Sequence, residues 1–259
     1  ARRVLVANNG IIGDLDLRGQ YDGERVETLT ASGRFDDTAA GSFAVNLSPT
    51  NGGPRTLKAD LTELGRALSA LDIYDRMDGG RTTLDARLAS DGAMTGRLIA
   101  TDFVLSGERS LAQLIPTTNR ALDEDGRNPL PLSFRAGNNG DGLPFERLMI
   151  NFRKNGGRIV VEEAILRGTV VGGTANGTID LDRQQMNIAG TLIPAYGVNN
   201  LFGRLPILGG ILGGGNKGGL IGVTFRLTGD IENPTLVVNP ISAIAPGIFR
   251  RIFEFPAAN

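Results

Sequence analysis

The sequence predicts a mainly β protein: one long curved antiparallel sheet, half-barrel or taco-like, with a few short capping amphipathic helices. Three observations predict it. Apolar and polar residues alternate through most of the chain, the period-two mark of strands with one buried and one wet face. Asn, Asp and Gly fall between the alternating runs, where turns need positive φ. The 37 glycines in 259 residues exceed the usual ~7% and are spread over strand ends rather than gathered in one block.

The elements follow in chain order. Alternation marks strands at 12–18, 28–35, 42–47, 83–88 and 95–103, and a later strand at 220–227. Ser90-Asp91-Gly92, Gly137 to Gly140 and Lys154 to Gly157 read as hairpin turns between strands. A loose repeat of strand, Gly turn and strand recurs at Gly33 to Leu47, Leu84 to Phe103 and Ala164 to Leu181. One such hairpin cannot bury its face alone, so stacked units build a continuous sheet. Four stretches break the alternation and read as helical. In the first, Leu61, Leu64, Leu68 and Leu71 stand at helical spacing behind Asp60 as N-cap. The second runs from Ser110 through Leu122, Pro144 to Leu148 forms at most one turn, and the fourth, Val198 to Leu212, is split by Pro206.

Composition excludes several kinds of function. The net charge of −1 lacks the basic surplus with which general nucleic-acid binders displace counterions, so no nucleic-acid partner is expected. The chain has no Cys and no His, which removes thiol nucleophiles, imidazole bases, disulfides and the usual zinc ligands. Asp36-Asp37, Asp123-Glu124-Asp125 and Glu162-Glu163 are the acid clusters. None has the alternating oxygen ligands and terminal Glu of a calcium loop. Strand neighbours point to opposite faces, so Glu162 and Glu163 are not expected to share a site. Gly209 to Gly219 fails the phosphate-loop pattern, because Asn216 precedes Lys217 and Gly218 follows it. No catalytic residue, cofactor or metal ligand is assigned, and an enzyme is not expected.

The last quarter points elsewhere. It is rich in Leu, Ile and Gly, and no apolar run in the chain approaches the ~18 residues of a membrane-spanning helix. Leu201, Phe202, Leu205, Ile207, Leu208, Ile211 and Leu212 offer an apolar surface beside Arg204. Ile248 and Phe249 repeat the theme beside Arg250 and Arg251. Either set can plug the end of the sheet, or lie in a lipid interface with its cations toward phosphates. Both readings stay open at this point. The span 198–255 is taken as a terminal helical and apolar cap within a single domain covering 1–259, itself a fragment of a longer protein.

Gly190 to Tyr196, Leu205-Pro206-Ile207-Leu208-Gly209, Gly229 to Pro234 and Val238 to Gly247 together resemble the C-terminal region of the AsmA-like family, nearest its YhdP-type branch. The stretch from Leu64 through Asp75 to Gly79-Gly80 is similar to the family's helix and following strand. The resemblance implies a bridge-like lipid-transfer protein of the Gram-negative periplasm, anchored in the inner membrane in its full-length form. This chain would be its distal domain, its inward-facing apolar strand residues lining a groove that shields phospholipid acyl chains between the inner and outer membranes, with a membrane surface, the outer membrane, as partner. A non-transporting scaffold that regulates outer-membrane protein assembly is the second expectation.

Overall fold

The computed structural model describes residues 2–6, 10–35, 41–50, 53–106, 142–168, 171–194, 221–231 and 234–243. Thirteen strands lie in one antiparallel sheet in strict chain order. They are β1 (Arg3–Leu5), β2 (Ile11–Tyr21), β3 (Val26–Phe35), β4 (Ser42–Thr50), β5 (Gly53–Leu61), β6 (Met77–Leu88), β7 (Met94–Ser106), β8 (Gly142–Asn155), β9 (Arg158–Gly168), β10 (Val171–Asp180), β11 (Gln185–Pro194), β12 (Ile221–Asp230) and β13 (Thr235–Ala243). The sheet is open: β1 and β13 do not meet. Among the described residues there is one helix, α1 (Leu64–Ala70), between β5 and β6.

Each alternating run expected as a strand is one. The expected turns at 90–92 and 154–157 are hairpin turns, and the one at 137–140 lies outside the described residues. Asp91 accepts the Ala93 amide at 2.9 Å, and Gly92 takes φ +82° in that turn. At the β2–β3 turn, Asp22 accepts the amides of Glu24 and Arg25 at 2.8 and 2.9 Å. The Arg25 amide first, then that of Glu24, lowers the Asp22 pKa below the ordinary 3.8.

The two ends of the sheet differ. Tight turns join β2 to β3, β6 to β7, β8 to β9 and β10 to β11 at one end. The connections after β5, β7 and β11 leave from the opposite end. α1 belongs to that second end. Gly65, Ala67 and Ala70 are its buried residues, and Leu64 and Leu68 pack against a core of Met77, Ala100, Phe103, Leu143, Phe145, Val171 and Leu192. A smaller core joins Ala67 and Ala70 to Phe35, with Phe43 and Leu61 beside it.

The helix differs from its sequence expectation. Asp60 does not cap it: Asp60 is a β5 residue opposite Ala44 and Thr83. Glu63 is the N-cap, with extended backbone and no side-chain cap bond. Leu61 also stays in the sheet, opposite Phe43 and Thr82, so its helical spacing from Leu64 is coincidental. Pro144 to Leu148 forms no helical turn. It lies in β8, where Pro144 pairs with Val104 and the Phe145 ring stacks on Phe103 at 5.3 Å. Burial of both rings outweighs any local turn preference. Pro144 costs little because it stands near the start of its strand. Within 198–255, residues 221–230 and 235–243 are strands of the sheet, Ile241 among them. The helical expectations at 110–122 and 198–212 lie outside the described residues, and among those described no helix is long and apolar enough to cross a membrane.

Two outcomes test this packing. A Cβ added at Gly65 would meet the Met77 carbonyl oxygen at 2.0 Å. Gly65→Ala should therefore destabilise the fold by about 1–3 kcal/mol, the range for overpacking, whereas Ser69→Ala on the exposed side of α1 should not. Urea unfolding of the two variants decides it. The lowered Asp22 pKa means that its turn contributes fully above the unfolded carboxyl value and loses that contribution as pH falls through the folded one. An NMR titration of the Glu24 and Arg25 amides should show a midpoint below 3.8.

Candidate functional site

Directly opposed residues on neighbouring antiparallel strands present their side chains to the same face. The register therefore assigns each face across the sheet. One row runs Gly19, Leu29, Leu47, Leu57, Ala86, Gly96, Phe152, Val161, Gly177, Ile188, Leu227 and Leu236, from β2 to β13. A second, two residues along each strand and three along β9, runs Leu17, Ala31, Val45, Ala59, Leu84, Leu98, Ile150, Ala164, Ala175, Gly190 and Phe225. A third passes through Gly33, Phe43, Leu61, Thr82, Ala100, Leu148, Leu166, Gly173 and Leu192. These rows hold no ionisable side chain. Thr82 is their one polar residue; it is 1% exposed and donates to the Gly80 carbonyl at 3.0 Å.

The opposite face carries the charge. One of its rows reads Arg18, Thr30, Asn46, Lys58, Asp85, Arg97, Asn151 and Glu163. Lys58 lies 3.8 Å from Asp85, and Arg97 donates to the Asn151 Oδ1 at 2.8 Å. Asn151 in turn donates to Glu163 at 3.3 Å. Exposed pairs of this kind contribute about 0–1 kcal/mol each, so they mark the wet face more than they hold the fold. An apolar island at Ile99, Met149 and Ile165 interrupts the polar face at the sheet centre.

Glu162 and Glu163 do not share a site, as expected, but they lie on one face where simple alternation places them on two. The register slips between Asn151 and Phe152, so β9 holds one extra residue there. That bulge turns both acids to the charged face: Glu162 meets Arg153 at 2.5 Å and Glu163 meets Asn151. Inserting one residue re-aims a side chain in this way. Glu146 stands at a second slip and pairs with Arg167 at 2.8 Å. Each acid thus faces its own partner. Among the described residues no three acids gather as a metal site would require.

The apolar face is only partly covered. α1 lies over its loop end. Leu84, Leu98, Ile150, Phe152, Ile188 and Leu227, farther along, remain half-buried in the middle of the sheet. Near the β2 edge, Leu17 is 61% exposed. Small residues keep the face low. A Cβ on Gly190 would stand 2.5 Å from the Phe225 ring, so the ring lies over the glycine backbone instead of projecting outward. At ~4.8 Å between strands, the first row extends on the order of 50 Å. An apolar row of that reach is what an elongated apolar ligand requires.

The sequence-derived contact residues Leu201, Phe202, Arg204, Leu205, Ile207, Leu208, Ile211, Leu212, Ile248, Phe249, Arg250 and Arg251 lie outside the described residues, as do Asp36-Asp37 and Asp123 to Asp125. The residues that form the apolar face were individually missed. Their signal was present: the alternating parity of each run, carried through each tight turn, gives the face of the next strand. Comparison with family models, with curated proteins and with solved structures finds no match.

An uncovered apolar face should bind an apolar fluorescent dye in the native state. Leu84→Asp, inward, should cut the dye signal several-fold, since burying such a side chain is worth about 1.5–3 kcal/mol. Thr83→Asp, one residue away and outward, should leave it. Equal signals from both folded variants would contradict the face assignment.

Proposed function

We propose that this chain shields the acyl chains of phospholipids along its apolar face, as the distal domain of a periplasmic bridge-like lipid-transfer protein of the AsmA-like type. The observation that carries the reading is the register. It sets rows of apolar residues without an ionisable side chain across the sheet, and leaves Leu84, Leu98, Ile150 and Phe152 at their centre half-buried.

The physics supports it. Each CH₂ withdrawn from water is worth about 0.8 kcal/mol, so exposing a ~16-carbon chain costs on the order of 10 kcal/mol. A surface that stays apolar from strand to strand lets a chain slide without meeting that barrier, and needs no chemical step. The work assigned to the domain is physical, with no catalytic residue and no cofactor. The periplasm, the inner-membrane anchor and the outer-membrane partner come with the AsmA-like resemblance.

Site-specific photo-crosslinking tests the reading. A benzophenone side chain at Leu98, inward, should capture phospholipid when the protein is expressed in a Gram-negative host. The same group at Arg97, outward on the next residue, should not. A folded protein that captures no lipid at position 98 would sink the proposal and favour the scaffold role.

A further inference from the structure

Beyond the three apolar rows, one more inward row lies nearest the tight turns. It runs Arg55, Leu88, Met94, Lys154, Ile159, Ile179, Met186 and Gly229. No register slip separates it from its neighbour, so its side chains share the apolar face. This margin differs from the other three rows by carrying charge, and the charge is positive. Lys154 stands between Met94 and Ile159, three strands from Arg55, or about 14 Å away at the usual strand spacing.

Neither cation is neutralised. The Lys154 ammonium donates to the Gly156 carbonyl at 2.6 Å, and the 9%-exposed Arg55 guanidinium donates to the Val26 carbonyl. Among the described residues neither pairs with a carboxylate. Glu27, next to Val26 in sequence, is held by Arg25 at 2.5 Å. The opposite border is Met77, Leu105 and Leu143, apolar and beside α1. The face thus has a cationic long edge along the turns and an apolar one along the helix.

We infer that lipids on this face lie with their tails over the apolar rows and their head groups along the tight-turn margin, where Lys154 selects anionic head groups. The inference rests on the lipid-binding reading above and adds an orientation and a chemical preference to it. A phosphodiester brings negative charge to an ammonium that now has only a carbonyl. A net-anionic lipid keeps that charge, whereas a choline head group cancels it. On the polar face Glu162 is held by Arg153 and Glu163 by Asn151, while the Asp182 carboxylate lies over Gly157 at the same margin and is not ion-paired to Lys154.

The experiment compares two lipids with identical acyl chains, palmitoyl-oleoyl phosphatidylglycerol and palmitoyl-oleoyl phosphatidylcholine. Each is dispersed in nonionic detergent at low salt and competes for the full chain against a fluorescent apolar dye. The unmodified chain should prefer phosphatidylglycerol. Lys154→Met keeps the length and apolar stem, and should lower that preference about five-fold, the equivalent of ~1 kcal/mol for one cation near an anionic lipid. Lys58→Met, on the polar face, should not change it. Retained phosphatidylcholine binding by Lys154→Met shows that the variant is folded. Equal affinity of the unmodified chain for the two lipids overturns the inference and leaves lipid binding standing, as does a preference that survives Lys154→Met. Displacement of the dye by neither lipid removes the lipid-binding reading itself, and this inference with it.

Discussion

Everything in this structure depends on the register of the antiparallel ladder. Side chains alternate with a period of two, so a one-residue slip moves a whole strand's apolar set to the wrong face. Here the pairing keeps Leu57 opposite Ala86, Ala86 opposite Gly96 and Gly96 opposite Phe152, strand after strand. Neither a second sheet nor a helical layer enforces this among the described residues; α1 touches only one end. The tight turns carry much of the burden, because loop length and turn geometry fix the pairing of the strands they join. The slips that do occur are compensated. At Glu162 and Glu146 the extra residue is an acid with an arginine opposite it, so the charge stays on the wet side and the apolar rows resume beyond.

That dependence explains what was legible in the sequence. The mainly β class and the strand runs were readable because alternation is local, as were the turns at Gly92 and Gly156. The helix was readable in kind but not in extent. Leu61 sits three residues before Leu64, as a helix would place it, yet the pairing of Leu61 with Phe43 and Thr82 is a long-range fact. Pro144 misled for the same reason: its neighbour Phe145 has a stacking partner forty residues upstream in Phe103. The two glutamates at 162 and 163 misled because simple alternation places them on opposite faces, and only the partner strand reveals the bulge. The Leu-rich segment after Tyr196 is conspicuous as one apolar block, whereas the described apolar face is assembled from short runs that look ordinary one by one.

The same register argument makes the cationic margin visible. In the sequence, Lys154 belongs to an Asn-Gly turn and Arg55 follows a proline; neither has a motif around it. Only the pairing Arg55–Leu88–Met94–Lys154 places them on one row of one face. On the polar side Arg153 meets Glu162 and Lys58 lies near Asp85 across the strands. Arg55 and Lys154 meet apolar neighbours and carbonyl oxygens instead. On the proposed reading, cations set beside an otherwise apolar face would give a bound amphiphile a preferred orientation.

A sheet of this kind can leave its apolar face open because its stability is built hairpin by hairpin. Each inner strand is held by backbone bonds to two neighbours and by cross-strand pairs worth roughly 0.2–1 kcal/mol each. Such nearest-neighbour contributions add along the sheet much as they do in repeat proteins. A two-layer fold draws on the same apolar face to stay folded, so a ligand there would have to displace the core. In this sheet the buried clusters at Phe35 and at Phe103 with Phe145 lie toward the helix end, while the middle rows mix buried residues such as Leu47, Ala59 and Ala86 with half-buried ones such as Leu84, Leu98 and Ile150. Stability and ligand contact are then assigned to different parts of one face. On the proposed lipid-binding reading, the clusters that anchor the fold at the helix end lie apart from the half-buried residues a moving chain would pass over, so a lipid would arrive and leave without the protein unfolding to admit it.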